Sequence, residues 1–138
     1  MTALIISILL LILAGIGKAV MDTLQFHFPV SIFSKYWKNK WLDPSISWRN
    51  KYKNHDPLQG EAFPGSTTIF VFVTDAWHFA QFVFLRSILA VVIVFPLSGA
   101  LSLFGSIPLC LKLGIAYIAV SAIFGLTFTL FYSKLLKK

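Results

Sequence analysis

Residues 67–96 read TTIFVFVTDAWHFAQFVFLRSILAVVIVFP, and how these thirty residues are interpreted decides the fold. As one helix they extend about 45 Å at 1.5 Å per residue, longer than a bilayer's hydrocarbon core of about 30 Å. Yet Asp75, His78 and Arg86 stand inside the run. Ionisable side chains in such a segment are costly unless they meet protein, water or headgroups, so they mark a functional site by default. At 100° per residue with Asp75 at zero, Thr68 and Arg86 fall near ~20°, His78 near ~300°, Thr67 near ~280°, Thr74 near ~260° and Gln81 near ~240°. The pattern predicts a spanning helix capped by Ser66 or Thr67, ended at Pro96, with a polar stripe turned toward the bundle interior. A break between Gln81 and Ser87, which would make the first part an interfacial helix, is the alternative.

The rest of the chain fits a membrane setting. Hydrophobic residues make up 57% of the 138 and charged residues 12%, about half the charge density of an ordinary soluble domain. The predicted fold class is all-α: a polytopic membrane protein forming one domain over residues 1–138, with spans at about 3–22, 67–96 and 108–133 and an interfacial loop at 23–66. No basic residue precedes the first apolar run and Lys18 follows most of it, so an uncleaved span with its N-terminus outside is expected rather than a signal peptide. The lone cysteine, Cys110, has no partner for an internal disulfide and is read as a packed helix residue.

In the loop, Tyr36, Trp37, Trp41, Trp48 and Tyr52 interleave with Lys35, Lys38, Lys40, Arg49, Lys51 and Lys53. Indole and phenol rings favour the headgroup zone and nearby cations favour acidic phospholipid, which makes Trp37, Trp41, Trp48, Tyr52, Lys51 and Lys53 expected interface anchors. The net charge of +7 is accordingly assigned to anionic headgroups and not to nucleic acid. Lys18, six loop cations and Lys134, Lys137 and Lys138 would share one side against Lys112 on the other. The loop and C-terminus are therefore expected in the cytoplasm.

Depth brings further residues together. With Pro96 at the outer boundary, Asp75 and His78 come to the inner boundary, level with Asp22 at the end of the first span and His27 just beyond it. These four form the predicted polar cluster. Asp75-x-x-His78 has the i, i+3 spacing of carboxylate and histidine metal ligands in helical bundles. It is equally a spacing for local hydrogen bonding, and a proton-relay or ion-path role is the third reading. A divalent metal ion is thus a possible cofactor. Arg86 lies about 16 Å along the helix from Asp75, so its partner must come from another span, another subunit or lipid phosphate. No phosphate-binding loop, Gly-x-Ser-x-Gly elbow, His-Glu-x-x-His helix or Cys-x-x-Cys pair is present.

Ser47-Trp48-Arg49-Asn50-Lys51-Tyr52-Lys53, Gly65-Ser66-Thr67-Thr68 and Thr74-Asp75-Ala76-Trp77-His78, in that order, resemble a group of small uncharacterised multi-span inner-membrane proteins of Bacteroidota-type bacteria. The resemblance covers the middle third of the chain. It implies a bacterial inner-membrane location and carries over no catalytic residue. Three spans bury little surface among themselves, so self-association or a larger complex is expected. The expected role is an accessory or scaffold component of a membrane assembly. The alternatives are handling of ions, protons or metal by the Asp/His cluster and, behind it, lipid-headgroup chemistry.

Overall fold

The computed structural model describes residues 2–37, 39–97 and 99–136, without the side chains of Leu97, Leu103 and Phe104. It is helical throughout, with no strand among the described residues. Helix α1 (Thr2–Phe26) leads through two short helices, α2 (Ile32–Tyr36) and α3 (Pro44–Ser47), and a series of 3-10 turns to α4 (Ala76–Leu97). Helix α5 (Leu109–Thr129) completes the bundle and continues as a π-helical stretch, Leu130–Leu136. Among the described residues three helices are long and apolar enough to cross a membrane: Thr2–Phe26, Ala76–Pro96 and Leu109–Leu136.

Helix α1 is the centre of the bundle. Both α4 and α5 pack along it and barely on one another, their rings meeting at Phe84 and Phe124 with centroids 6.0 Å apart. Two glycines permit this arrangement. A Cβ on Gly17 would lie 3.0 Å from the Ala80 carbonyl oxygen, and one on Gly15 would lie 2.9 Å from Thr127 Cβ. Two positions apart on a helix point to nearly opposite sides, so one glycine admits α4 and the other α5. Close backbone approach through small residues is how apolar helices associate where lipid is as apolar as leucine.

The tightest packing lies at one end. Ala19 and Leu24 of α1, Phe28 and Phe33 just after it, Ala76 of α4 and Leu136 beyond α5 form a buried cluster. Trp77, Phe128, Phe131 and Tyr132 pack against it. The connecting loop and the end of the last helix therefore share one end of the bundle, while Cys110, exposed at the start of α5, lies at the other.

The stretch at 67–96 departs from the sequence expectation. It is not one helix: residues 67–70 form turns, Val71–Val73 a single 3-10 turn, and α4 begins only at Ala76. Residues 81–87, where a break was the alternative, are continuous helix. The break occurs at Asp75 because that carboxylate accepts from the His78 backbone N–H at 2.9 Å, the bond of a helix N-cap. Ser66 does not cap a helix. Its hydroxyl donates to the Lys51 carbonyl at 2.7 Å and accepts from the Ala62 N–H, tying two parts of the loop together. With Thr67, Thr68 and Thr74 outside the helix, the predicted continuous polar stripe does not exist. The first helix, conversely, runs beyond Asp22 to Phe26.

Candidate functional site

The site is built where the loop meets the first turn of α4. The leading amides of a helix lack partners within the helix, and here the loop and the cap supply them. Ala76 N–H donates to the Trp41 carbonyl at 3.0 Å, and His78 N–H goes to Asp75. Trp41 is held a second time through its indole N–H to the Val73 carbonyl at 3.3 Å. The Asn50 amide nitrogen bridges the remaining gap, donating to the Lys40 carbonyl at 3.0 Å and to the Thr74 carbonyl at 2.9 Å. Aromatic-rich, charged sequence that would otherwise be mobile is thus fixed by main-chain partners.

At the centre stands Asp75, only 2% exposed. One oxygen caps the helix; the other lies 2.6 Å from His78 Nδ1 and 3.3 Å from the Thr74 hydroxyl, whose single proton also faces the Val71 carbonyl at 2.7 Å. Burying a carboxylate is costly without such partners. With Nδ1 committed to Asp75, only Nε2 of His78 is left to engage a third group. The His78 side chain, 22% exposed, borders an open cleft of about 260 Å³ together with Asp75, Trp77, Gln25, Ser47 and Trp48. Ser47 is buried. The Trp77 indole N–H is buried without a partner among the described residues, a departure from the rule that buried donors are paired. Chemically the arrangement is an oriented imidazole beside a shallow aromatic-walled recess.

The other predicted cluster members go elsewhere. Asp22 is paired with Lys18, one turn earlier on the same helix. The His27 ring packs on Tyr132, centroids 5.4 Å apart. Among the described residues no group of three or more His, Cys, Asp or Glu side chains could hold a metal ion together, so the four-residue cluster resolves into a dyad and two separate residues.

Arg86 lies on the outer surface of α4, exposed, with its guanidinium over the Phe82 ring at 5.4 Å and no ion pair among the described residues. Of the interface residues, Trp37, Trp41, Trp48 and Lys53 are exposed and Tyr52 and Lys51 half-buried. Cations sit over rings at Arg49–Trp48 (5.1 Å) and Lys51–Tyr52 (5.5 Å). Lys38 lies outside the described residues.

Sequence reading missed Asn50, Ser47 and Trp77. Nothing marks Asn50 as different from any loop asparagine, since its partners are ten and twenty-four positions away. The Asp75–His78 spacing, however, is also that of an N-cap and the third helical residue, a signal for the true helix start. Comparisons with protein-family models, with curated proteins and with solved structures find no match to this chain.

Proposed function

We propose that this is an integral membrane protein of the bacterial inner membrane, N-terminus outside and C-terminus cytoplasmic, that serves as an accessory or scaffold component of a membrane assembly. Arg86 carries the reading. In a candidate span of 21 residues, Ala76–Pro96, it stands ten residues from the start, about 15 Å into a helix of about 32 Å. A guanidinium at mid-depth is expensive in hydrocarbon, and such residues ordinarily face the protein interior or pair with a carboxylate. Among the described residues Arg86 does neither. A second chain with a carboxylate or a run of carbonyls at the same depth would meet the need. The adjoining surface is broad and apolar: Phe79, Leu85, Leu89, Val92 and Ile93 are all exposed.

The test is mass and composition after mild detergent extraction of the tagged full chain. A complex larger than the monomer is expected, and Arg86→Leu should reduce it to monomer while the helices remain folded. A monomer from the unaltered chain, or an Arg86→Leu complex of unchanged size, would sink the proposal. A second reading, proton handling at the inner boundary, is favoured by the Asp75-held imidazole bordering its cleft. His78→Gln leaving assembly intact while Arg86→Leu abolishes it would assign the two residues to separate tasks.

A further inference from the structure

Among the described residues, the loop's charges are not neutralised within the loop. Its carboxylates are engaged by neutral donors: Asp43 accepts from the Ser45 N–H (3.0 Å) and hydroxyl (2.7 Å), and Asp56 from the Leu58 N–H (3.0 Å) and the Gln59 amide (3.1 Å). Glu61 accepts from the Gly65 N–H (3.0 Å) and the Thr67 hydroxyl. None of the described loop cations, Lys35, Lys40, Arg49, Lys51 or Lys53, takes part in an ion pair; the pairs present are Lys18–Asp22 and His78–Asp75. Such a loop is arranged to keep its positive charge available.

Part of that charge converges. Lys40, Arg49 and His55 line one cleft of about 190 Å³ with Asn50 and Ile46, and no carboxylate is among its lining residues. Its geometry is fixed from several directions. Asn50 holds the Lys40 carbonyl on one side and the Thr74 carbonyl on the other. Arg49 rests on Trp48. His55 is held at a φ of 62°, after Asn54 at 52°, by its N–H to the Tyr52 carbonyl at 3.1 Å. Two successive non-glycine residues in the left-handed region are uncommon, and here they occur where His55 joins Lys40 and Arg49 in lining the cleft. Because Thr74 lies two residues before the start of α4, next to its Asp75 cap, the cleft stands at the entry to the second candidate span, beside exposed Trp41 and Trp48.

We propose that this cleft is a binding site for a phosphate group, and specifically for the phosphate of an anionic lipid headgroup. A guanidinium and an ammonium offer charge-assisted donors to phosphate oxygens. The half-exposed side chain of Ile46, 44% exposed in the same cleft, offers apolar surface to the glycerol end. The position at the end of an apolar helix favours a lipid over a soluble anion. The inference needs only that the chain is membrane-embedded; it is independent of any assembly through Arg86.

Native mass spectrometry of the full chain in a non-ionic detergent tests it, with dioleoyl phosphatidic acid, dioleoyl phosphatidylcholine and inorganic phosphate added separately. The expected result is retention of phosphatidic acid over phosphatidylcholine, weakened about tenfold by Lys40→Gln with Arg49→Gln, that is about 1.4 kcal/mol. Lys35→Gln with Lys134→Gln removes the same charge from the same end of the bundle, at exposed positions outside the cleft, and should leave retention within about twofold. Lys40→Arg with Arg49→Lys should restore it, which separates lost charge from lost fold. Competition by inorganic phosphate at millimolar concentration would show that the phosphate group alone is recognised; absence of competition would show that the headgroup and chains contribute. Equal losses in the two glutamine variants would replace the site by diffuse attraction and overturn the proposal, as would undiminished retention in the first. Tighter capture of a single-stranded oligonucleotide than of the lipid would also overturn it.

Discussion

The close approach of α1 to α4 allows a quantitative test through Gly17→Ala. The added methyl carbon would stand 3.0 Å from the Ala80 carbonyl oxygen, 3.1 Å from the Phe84 nitrogen and 3.3 Å from Phe84 Cβ. Two of these are main-chain atoms of α4, which cannot rotate away as the tip of a side chain can. Relief requires the two helices to separate by a few tenths of an ångström along the interface. Overpacking of this kind costs about 1–3 kcal/mol, whereas replacing a mid-helix glycine by alanine returns about 1 kcal/mol of helix propensity. Gly125→Ala isolates the packing cost, because a Cβ there meets nothing within 4 Å and the propensity gain is the same. Equilibrium unfolding in mixed micelles, read by circular dichroism, should therefore separate the two variants by about 1–3 kcal/mol, with Gly125→Ala the more stable. If both shift alike, α4 does not seat against Gly17, and the account of α1 as the central helix fails.

Removing the cap carboxylate in Asp75→Ala should lower stability by about 1–3 kcal/mol, since it takes away an N-cap and strands the partly buried His78 N–H. Asp75→Asn, which keeps one oxygen, should lose less in the same assay; an alanine variant as stable as the parent would show that the cap is idle. Topology can be read in one preparation by placing Gln59→Cys beside the native Cys110. An impermeant maleimide added outside spheroplasts should modify Cys110 and spare position 59, and the opposite pattern would invert the orientation. Glu61 has its carboxyl held below the ordinary 4.5 by the Thr67 hydroxyl first and the Gly65 N–H second. A depressed folded-state value means that the ionised group's contribution is complete above the ordinary range and is lost as pH falls through the lowered value. Protection of the Gly65 amide, its exchange rate relative to the intrinsic rate at each pH, should thus stay constant from neutral pH down to the ordinary carboxylate range and fall only below it; a loss of protection near neutrality would contradict the assignment.

Much of the architecture was legible from runs of apolar residues, because composition alone decides whether a helix can cross hydrocarbon. The helix start was not, for a physical reason: residues 69–73 are as apolar as the helix that follows, so hydropathy passes over the junction without change. What ends the turns and starts the helix is a single carboxylate, and its spacing to His78 admits both a facial pair and a cap. The four-residue cluster failed at Asp22 for a local reason. Lys18 is one turn away on the same helix, a pairing that any helix of this sequence offers. The docking of Trp41 and Asn50 could not be read, since those bonds join residues separated by 10 to 35 positions and go to main-chain atoms that carry no sequence signature.

The position of α1 at the centre bears on how the protein is made. Of the three long helices it is the first synthesised, and it is the one against which each of the others rests. Residues 76–96 can therefore find their final neighbour as soon as they leave the ribosome, and the loop can close over Asp75 before α5 exists. A nascent chain halted before Leu109 would already contain α1, α4 and the closed loop. A chain deprived of α1 would release two apolar helices with almost nothing to hold to each other, and quality-control proteases would meet them as orphans.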